Sequence, residues 1–287
     1  MLVAFLAVVG LVFVAVRVVG GLDSSFRSLS TAAAQPSGGV KVDVQGTVPG
    51  ACLEYAPTGA TRKRTVFLDP GHGGPDPGAS AQTAAGARLL EKDETLAVAQ
   101  ALATRLRSDG YTVVLSRTGD TTVATGITGT SLTVGDERRD LQARLDCANA
   151  ARANVLLSIH FNGFYDPSAR GTETFYDDAR PFAAQNLRLA RSLQSALVSS
   201  LRLQDRGVLP DDQLDAPTLS DAGATYGHLV LLGPPQPGLV DRASTMPGAL
   251  TEPLFLTAPS EAALVATADG RQRVANALAT GLEGFLR

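Results

Sequence analysis

From residue 65 onward the sequence alternates short apolar runs with longer amphipathic stretches, separated by polar, glycine-rich or proline-rich breaks. This alternation restricts the fold more than any other feature. TVFLD (65–69), YTVVLS (111–116), NVLLSIH (154–160) and GTETFY (171–176) read as strands, as do 229–232 and 249–256. Residues 91–108 read as a helix, with Leu96, Ala99, Leu102, Ala103 and Leu106 on one face. Acidic residues crowd its first turn, arginines its last, and Gly110 follows as a stop. Residues 136–152, 181–203 and 260–286 repeat the helical period. The order predicts a single three-layer α/β domain: a mostly parallel or mixed twisted sheet flanked by helices on both faces.

The N-terminal part differs. Residues 2–16 carry no polar side chain. The run lies between the about 7–15 residues of a signal-peptide core and the about 20 of a spanning helix. Residues 1–22 are therefore expected to be a signal peptide or a membrane anchor, either of which exports the rest and brings the N-terminus to the membrane. Residues 23–60, rich in Ser, Thr, Ala, Gly and Pro, read as a linker with one short strand near 40–44, and 61–287 as the domain. At 44% hydrophobic and 18% charged residues the chain is no disordered protein. A net charge of −3 gives no electrostatic reason to bind nucleic acid. The domain is expected to act as a monomer.

Ligands in open α/β sheets sit at the carboxyl ends of strands. His72 lies three residues past Asp69, His160 closes NVLLSIH, Glu91 opens the first helix and Glu252 sits within the strand ALTEPLFL, next to Pro253. Two imidazoles and a carboxylate make a common catalytic zinc set, and a further carboxylate can move the proton of a zinc-bound water. The spacings match no local ligand rule and HExxH is absent. Residue types alone leave a metal site and ordinary strand-end histidines equally open. His228 and Glu173 read as structural or surface residues, and Arg188, Arg191 and Arg202 as a solvated helix face. Cys52 and Cys147 are the only thiols, and in an exported chain they form a candidate disulfide.

The ordered segments DPGHGGPDPGA, LLEKDETLAVAQAL, RLDCANAARANVLLSIHFN, GTETFY, DRGV and MPGALTEPLFLTAPSE resemble the type 3 family of zinc-dependent N-acetylmuramoyl-L-alanine amidases. The resemblance spans residues 64–287. It implies one zinc ion (Zn2+) held by His72, Glu91 and His160, with Glu252 as the catalytic glutamate. It also implies that Asn162 and Arg206 line the substrate groove. The implied reaction, in cell-wall remodelling or turnover, cleaves the amide between N-acetylmuramic acid and L-alanine in peptidoglycan or muropeptides. It places the chain in the periplasm, the cell wall or on the outer face of the cytoplasmic membrane, and leaves a protein activator open. Two features depart from the pattern. LTEPLFLTA replaces the usual L-V-E-x-G-F-L-S-N, and the stretches 119–135 and 208–248 are long, as a lid or partner surface would be. The altered block keeps a non-catalytic peptidoglycan-binding domain as an alternative, beside a zinc carboxypeptidase. A phosphate site at PGHGGPDPG lacks both GxGxxG and GK[ST].

Overall fold

The computed structural model describes residues 36–83, 86, 88–213, 218–221 and 223–287. Residues 1–22, with their signal or anchor reading, lie outside the described residues. No helix among those described is long and apolar enough to cross a membrane.

An eight-stranded mixed sheet forms the centre, in the order β1-β2-β6-β3-β7-β12-β8-β9. Its heart is four parallel strands: β6 (Thr112–Arg117), β3 (Thr65–Pro70), β7 (Val155–Ile159) and β12 (Gly248–Glu252). β8 (Thr172–Tyr176) runs antiparallel to β12, and β9 (Asp205–Pro210) lies parallel to β8. β1 (Val40–Lys41) and β2 (Ala51–Tyr55) close the other edge, with β2 antiparallel to β6. The expected linker, 23–60, therefore ends too late: its described part supplies two strands. Tyr55, with neither flanking repeat nor long apolar run to announce it, is fully buried.

Each central strand is buried on both sides, as parallel sheets require. Val66, Leu68, Val113, Leu115, Leu157 and Ala249 face one core, against α1 (Glu91–Ser108), α3 (Ala183–Leu201) and α5 (Ala268–Leu286). Phe67, Val114, Leu156 and Leu250 face a second. There α2 (Val134–Ala150) covers part of the sheet, and the irregular segment 219–246 covers the rest through Leu219, Tyr226, Leu231, Val240 and Met246. So the long stretch 208–248, read as a lid or partner surface, contributes instead to the core. It contains a small hairpin, β10 (Leu219–Asp221) with β11 (Ala224–Tyr226).

The strand expected at 229–232 is a turn, with Leu232 N and Gly233 N both donating to Leu229 O. Its apolar residues plug the second core, which imitates a strand pattern. The helix expected over 260–286 is two: α4 (Pro259–Val265) and α5. Thr267 Oγ1 caps α5 by accepting from Gly270 N at 3.0 Å. A Cβ on Gly270 would come within 1.7 Å of Leu264 O, so the break depends on glycine there. A second small hairpin, β4 (Ser80–Gln82) with β5 (Arg88–Leu90), leads into α1.

Cys52 on β2 and Cys147 on α2 are joined in a disulfide, with their Cα atoms 5.7 Å apart. It ties the edge strand to the helix across the second core.

Beneath the β3 end lies a buried polar cluster. Asp69 accepts from Ser116 Oγ (2.7 Å), Ser158 Oγ (2.9 Å) and Arg144 Nη1 (2.8 Å). Arg144 also binds Asp140, and its guanidinium reaches Pro70 O and His72 O. Burial works against ionisation of Asp69, but Arg144 and then Ser116 outweigh it and hold its pKa below the usual aspartate range. A depressed carboxyl pKa contributes stability that is complete above the unfolded value, about 3.9, and is lost as pH falls through the folded value. Arg144→Met should therefore cost about 3–5 kcal/mol in urea unfolding at neutral pH, because it strands a buried carboxylate. It should also flatten the loss of stability that the unmodified chain shows below about pH 4. Removing the disulfide by Cys52→Ser with Cys147→Ser should lower the unfolding free energy by about 2–5 kcal/mol, read in the same titration.

Candidate metal centre and catalytic rim

The carboxyl ends of β3, β7 and β12 open onto one rim. The loop after β3 folds back sharply: His72 has φ 62°, and Gly73, Gly74 and Gly78 are also at positive φ. The reversal turns the carbonyls of residues 70–72 inward. Arg117 Nε donates to Pro70 O at 3.0 Å, and its Nη2 to Gly71 O and Lys92 O, both at 2.8 Å. Arg144 takes His72 O at 2.7 Å. Two buried guanidinium groups thus satisfy a loop that no strand could pair.

This loop brings His72 beside Glu91, the first residue of α1, and His160, the residue after β7. His72 Nε2 lies 2.9 Å from Glu91 Oε1 and 3.1 Å from His160 Nδ1. His160 Nδ1 lies 3.1 Å from the same Glu91 oxygen. Ligands at the corners of a tetrahedron with bonds of about 2.0 Å are about 3.3 Å apart, so one small ion fits among these three atoms. Two of the three donors are oriented from behind. Asp76 Oδ2 binds His72 Nδ1 at 2.7 Å, which sets the tautomer and leaves Nε2 to face inward. Glu91 Oε2 accepts from Ala79 N at 2.8 Å, and Oε1 from Phe161 N at 3.0 Å. Two glycines make the space. A Cβ on Gly71 would lie 2.2 Å from His160 Cε1, and one on Gly78 would lie 2.5 Å from Glu91 Oε2.

The electrostatics of the three side chains are strongly coupled. Burial disfavours protonation of His72, but Glu91 and Asp76 hold its pKa up to about 10. Burial pushes the Glu91 pKa upward, and the two imidazoles more than reverse it. The trio needs one positive charge in its midst, and a divalent ion at the same point meets that need.

Glu252 ends β12 on the same rim, opposite Glu173 in the β12–β8 pairing. Burial, then Glu91, then Glu173 raise its pKa well above the usual glutamate range. Its Oε2 is buried with no hydrogen-bond partner. Asn162 and Arg206, expected in the groove, both turn to Glu173: Asn162 Nδ2 donates to Oε1, and Arg206 Nε to Oε2 at 2.7 Å. Glu173 is 1% exposed, so it is structural and not solvated. The sequence signal for it was slight, one acid in a strand of threonines. Asp76 also went unnoticed, although a carboxylate four residues past His72 in a glycine-rich loop is a usable hint. His228 is not part of this centre; it lies with Asp177 and Asp211. The departure LTEPLFLTA leaves Glu252 at its strand end, and Leu254 O and Leu256 N bond the backbone of Asn162.

The glycine-rich loop does not present its amides as a phosphate cradle. Gly74 N donates to Asp120, Gly78 N to Asp76 and Ala79 N to Glu91.

Comparison with known proteins gives one family. The profile described as N-acetylmuramoyl-L-alanine amidase matches residues 66–284. The chain is 32% identical over 223 residues to the N-acetylmuramoyl-L-alanine amidase LytC of Bacillus subtilis (strain 168), covering 78% of this chain and 36% of that protein. It is 30% identical over 244 residues to the amidase AmiC of Neisseria meningitidis serogroup B, covering 78% of this chain and 53% of that one. The chain thus spans between a third and about half of the length of these two curated relatives. The crystal structure of an N-acetylmuramoyl-L-alanine amidase from Clostridium difficile 630 superposes with a TM-score of 0.56 at 29% identity, over 78% of this chain and 96% of that one.

Asp76→Ala should weaken the affinity of this trio for a divalent metal ion by about 10–100-fold, because the His72 ring loses the bond that orients it. Titration of the metal-free protein with zinc against a competing chelator reads the change.

Proposed function

Because the chain belongs to the N-acetylmuramoyl-L-alanine amidase family, we propose that it hydrolyses the amide between N-acetylmuramic acid and the L-alanine of peptidoglycan stem peptides. The carrying observation is the convergence of His72, Glu91 and His160 at 2.9–3.1 Å beside a buried, unpartnered Glu252 oxygen. His72 Nε2, His160 Nδ1 and Glu91 Oε1 would hold one zinc ion. Zinc bound there supplies a Lewis acid for the scissile carbonyl and lowers the pKa of water.

The chain's own residues do the rest. Glu252 Oε2 has no competing donor, so it can take the proton of the attacking water. The new C–O bond forms as that proton leaves, and Glu252 then gives it to the L-alanine nitrogen as the C–N bond breaks. A carboxyl with a raised pKa suits both steps: it is basic enough to accept the proton and acidic enough to return it. Glu173, held by Asn162 and Arg206, lies beside Glu252 and helps to keep its pKa raised. In this reading Asn162 and Arg206 act through Glu173.

The setting follows the substrate. Peptidoglycan lies outside the cytoplasmic membrane, and a disulfide persists in oxidising compartments. We place the domain there, exported, acting on peptidoglycan or muropeptides.

Glu252→Gln should lower kcat by about 10²–10⁴ while zinc content stays unchanged. The assay is release of stem peptides with a new L-alanine N-terminus from purified muropeptides. Full activity in the variant would remove Glu252 from the mechanism. Chelation should abolish turnover, and added zinc should restore it.

A further inference from the structure

A second set of donors lies away from the catalytic rim. Asp177 follows β8, Asp211 follows β9, and His228 follows β11. Because β8 runs antiparallel to β12, its far end points away from Glu252. The four residues from Glu173 to Asp177 span about 13 Å at strand rise, so this cluster is no partner in a two-metal catalytic site.

Both carboxylates are fully buried, and the imidazole is 23% exposed. Each carboxylate commits one oxygen to the backbone: Asp177 Oδ1 accepts from Ala179 N, and Asp211 Oδ2 from Leu229 N, both at 2.9 Å. The other two oxygens converge on one atom. His228 Nδ1 is 3.0 Å from Asp177 Oδ2 and 3.2 Å from Asp211 Oδ1. The ring's hydrogen-bond geometry serves only Asp211, so Asp177 Oδ2 is left buried without a hydrogen-bond partner. The nearby Arg180 gives its guanidinium to Leu232 O, Gly233 O and Ser244 instead. Burial, and then Asp177, push the Asp211 pKa up to about 7, the mark of two acids with too little positive charge between them.

The arrangement repeats that of the catalytic trio. There too the carboxylate commits its other oxygen to a backbone N–H, and the facing atoms sit 2.9–3.1 Å apart. We propose that Asp177, Asp211 and His228 form a second, structural site for a divalent transition ion of the zinc class. Separations of 3.0–3.2 Å suit bonds of about 2.0 Å, whereas calcium needs six to eight oxygens at about 2.3–2.6 Å. An imidazole beside carboxylates also favours zinc over magnesium. The ion would clip the irregular segment that carries the β10–β11 hairpin onto the ends of β8 and β9. That segment covers half of one sheet face with little regular structure to hold it there. The proposal does not rest on the amidase reading, since no turnover is involved.

The test counts zinc by mass spectrometry in the full chain, purified with zinc and desalted without chelator. The unmodified chain should hold about two ions, and His72→Ala with His160→Ala about one. Adding His228→Asn to that pair should remove the last ion. With the catalytic ligands intact, His228→Asn should retain about one ion and show, at saturating zinc, a lower Tm than the unmodified chain. A single ion in the unmodified chain, lost with His72→Ala and His160→Ala, overturns the proposal: the two acids then share a proton. An ion that survives the triple variant overturns it as well, by placing the second ion elsewhere.

Discussion

Two buried arginines carry the rest of the site. Reversing the chain after β3 leaves three successive carbonyls pointing into the protein, where no strand or helix can pair them. An unsatisfied buried carbonyl costs on the order of 1–3 kcal/mol, so three would cancel much of a domain's stability. Arg117 and Arg144 supply the donors from opposite sides, and Asp69 and Asp140 balance Arg144. Only with that frame closed can His72 adopt a left-handed conformation and still project Nε2 toward Glu91. The metal centre is thus built from the backbone outward.

The same frame explains what was legible in the sequence. TVFLD, NVLLSIH and the 91–108 helix are each regular, and their ends deliver His72, His160 and Glu91 almost where the periodicity puts them. The residues that orient these three were not legible, because their signal is long-range. Arg144 is a charge on the inward face of its helix, and its role is plain only once Asp69 is seen against it. Glu173 gains its meaning from strand pairing with Glu252, which no local pattern encodes.

The least legible part was the second core. Regular amphipathic elements fill the first core, so their period marks them. The second relies on α2, on residues 219–246 and on the neighbourhood of Cys52. There Leu229–Leu232 imitates a strand, and residues 51–55 look like linker while forming one. Irregular backbone can cover a sheet only if it is pinned. The Cys52–Cys147 disulfide pins one end of this core, and the Asp177–Asp211–His228 cluster lies at the other.

Charge balance links the rim to its chemistry. Glu91, Asp76, Glu173 and Glu252 crowd a small buried volume, and Arg206 answers only one of them. With neutral imidazoles the remaining acids repel one another, and each added proton removes either a ligand or a base. A divalent ion between His72, His160 and Glu91 would offset the charge of Glu91, and Glu252 would then be the carboxyl left to move a proton. The same crowding of acids would separate the groups that hold an ion from the one that moves a proton.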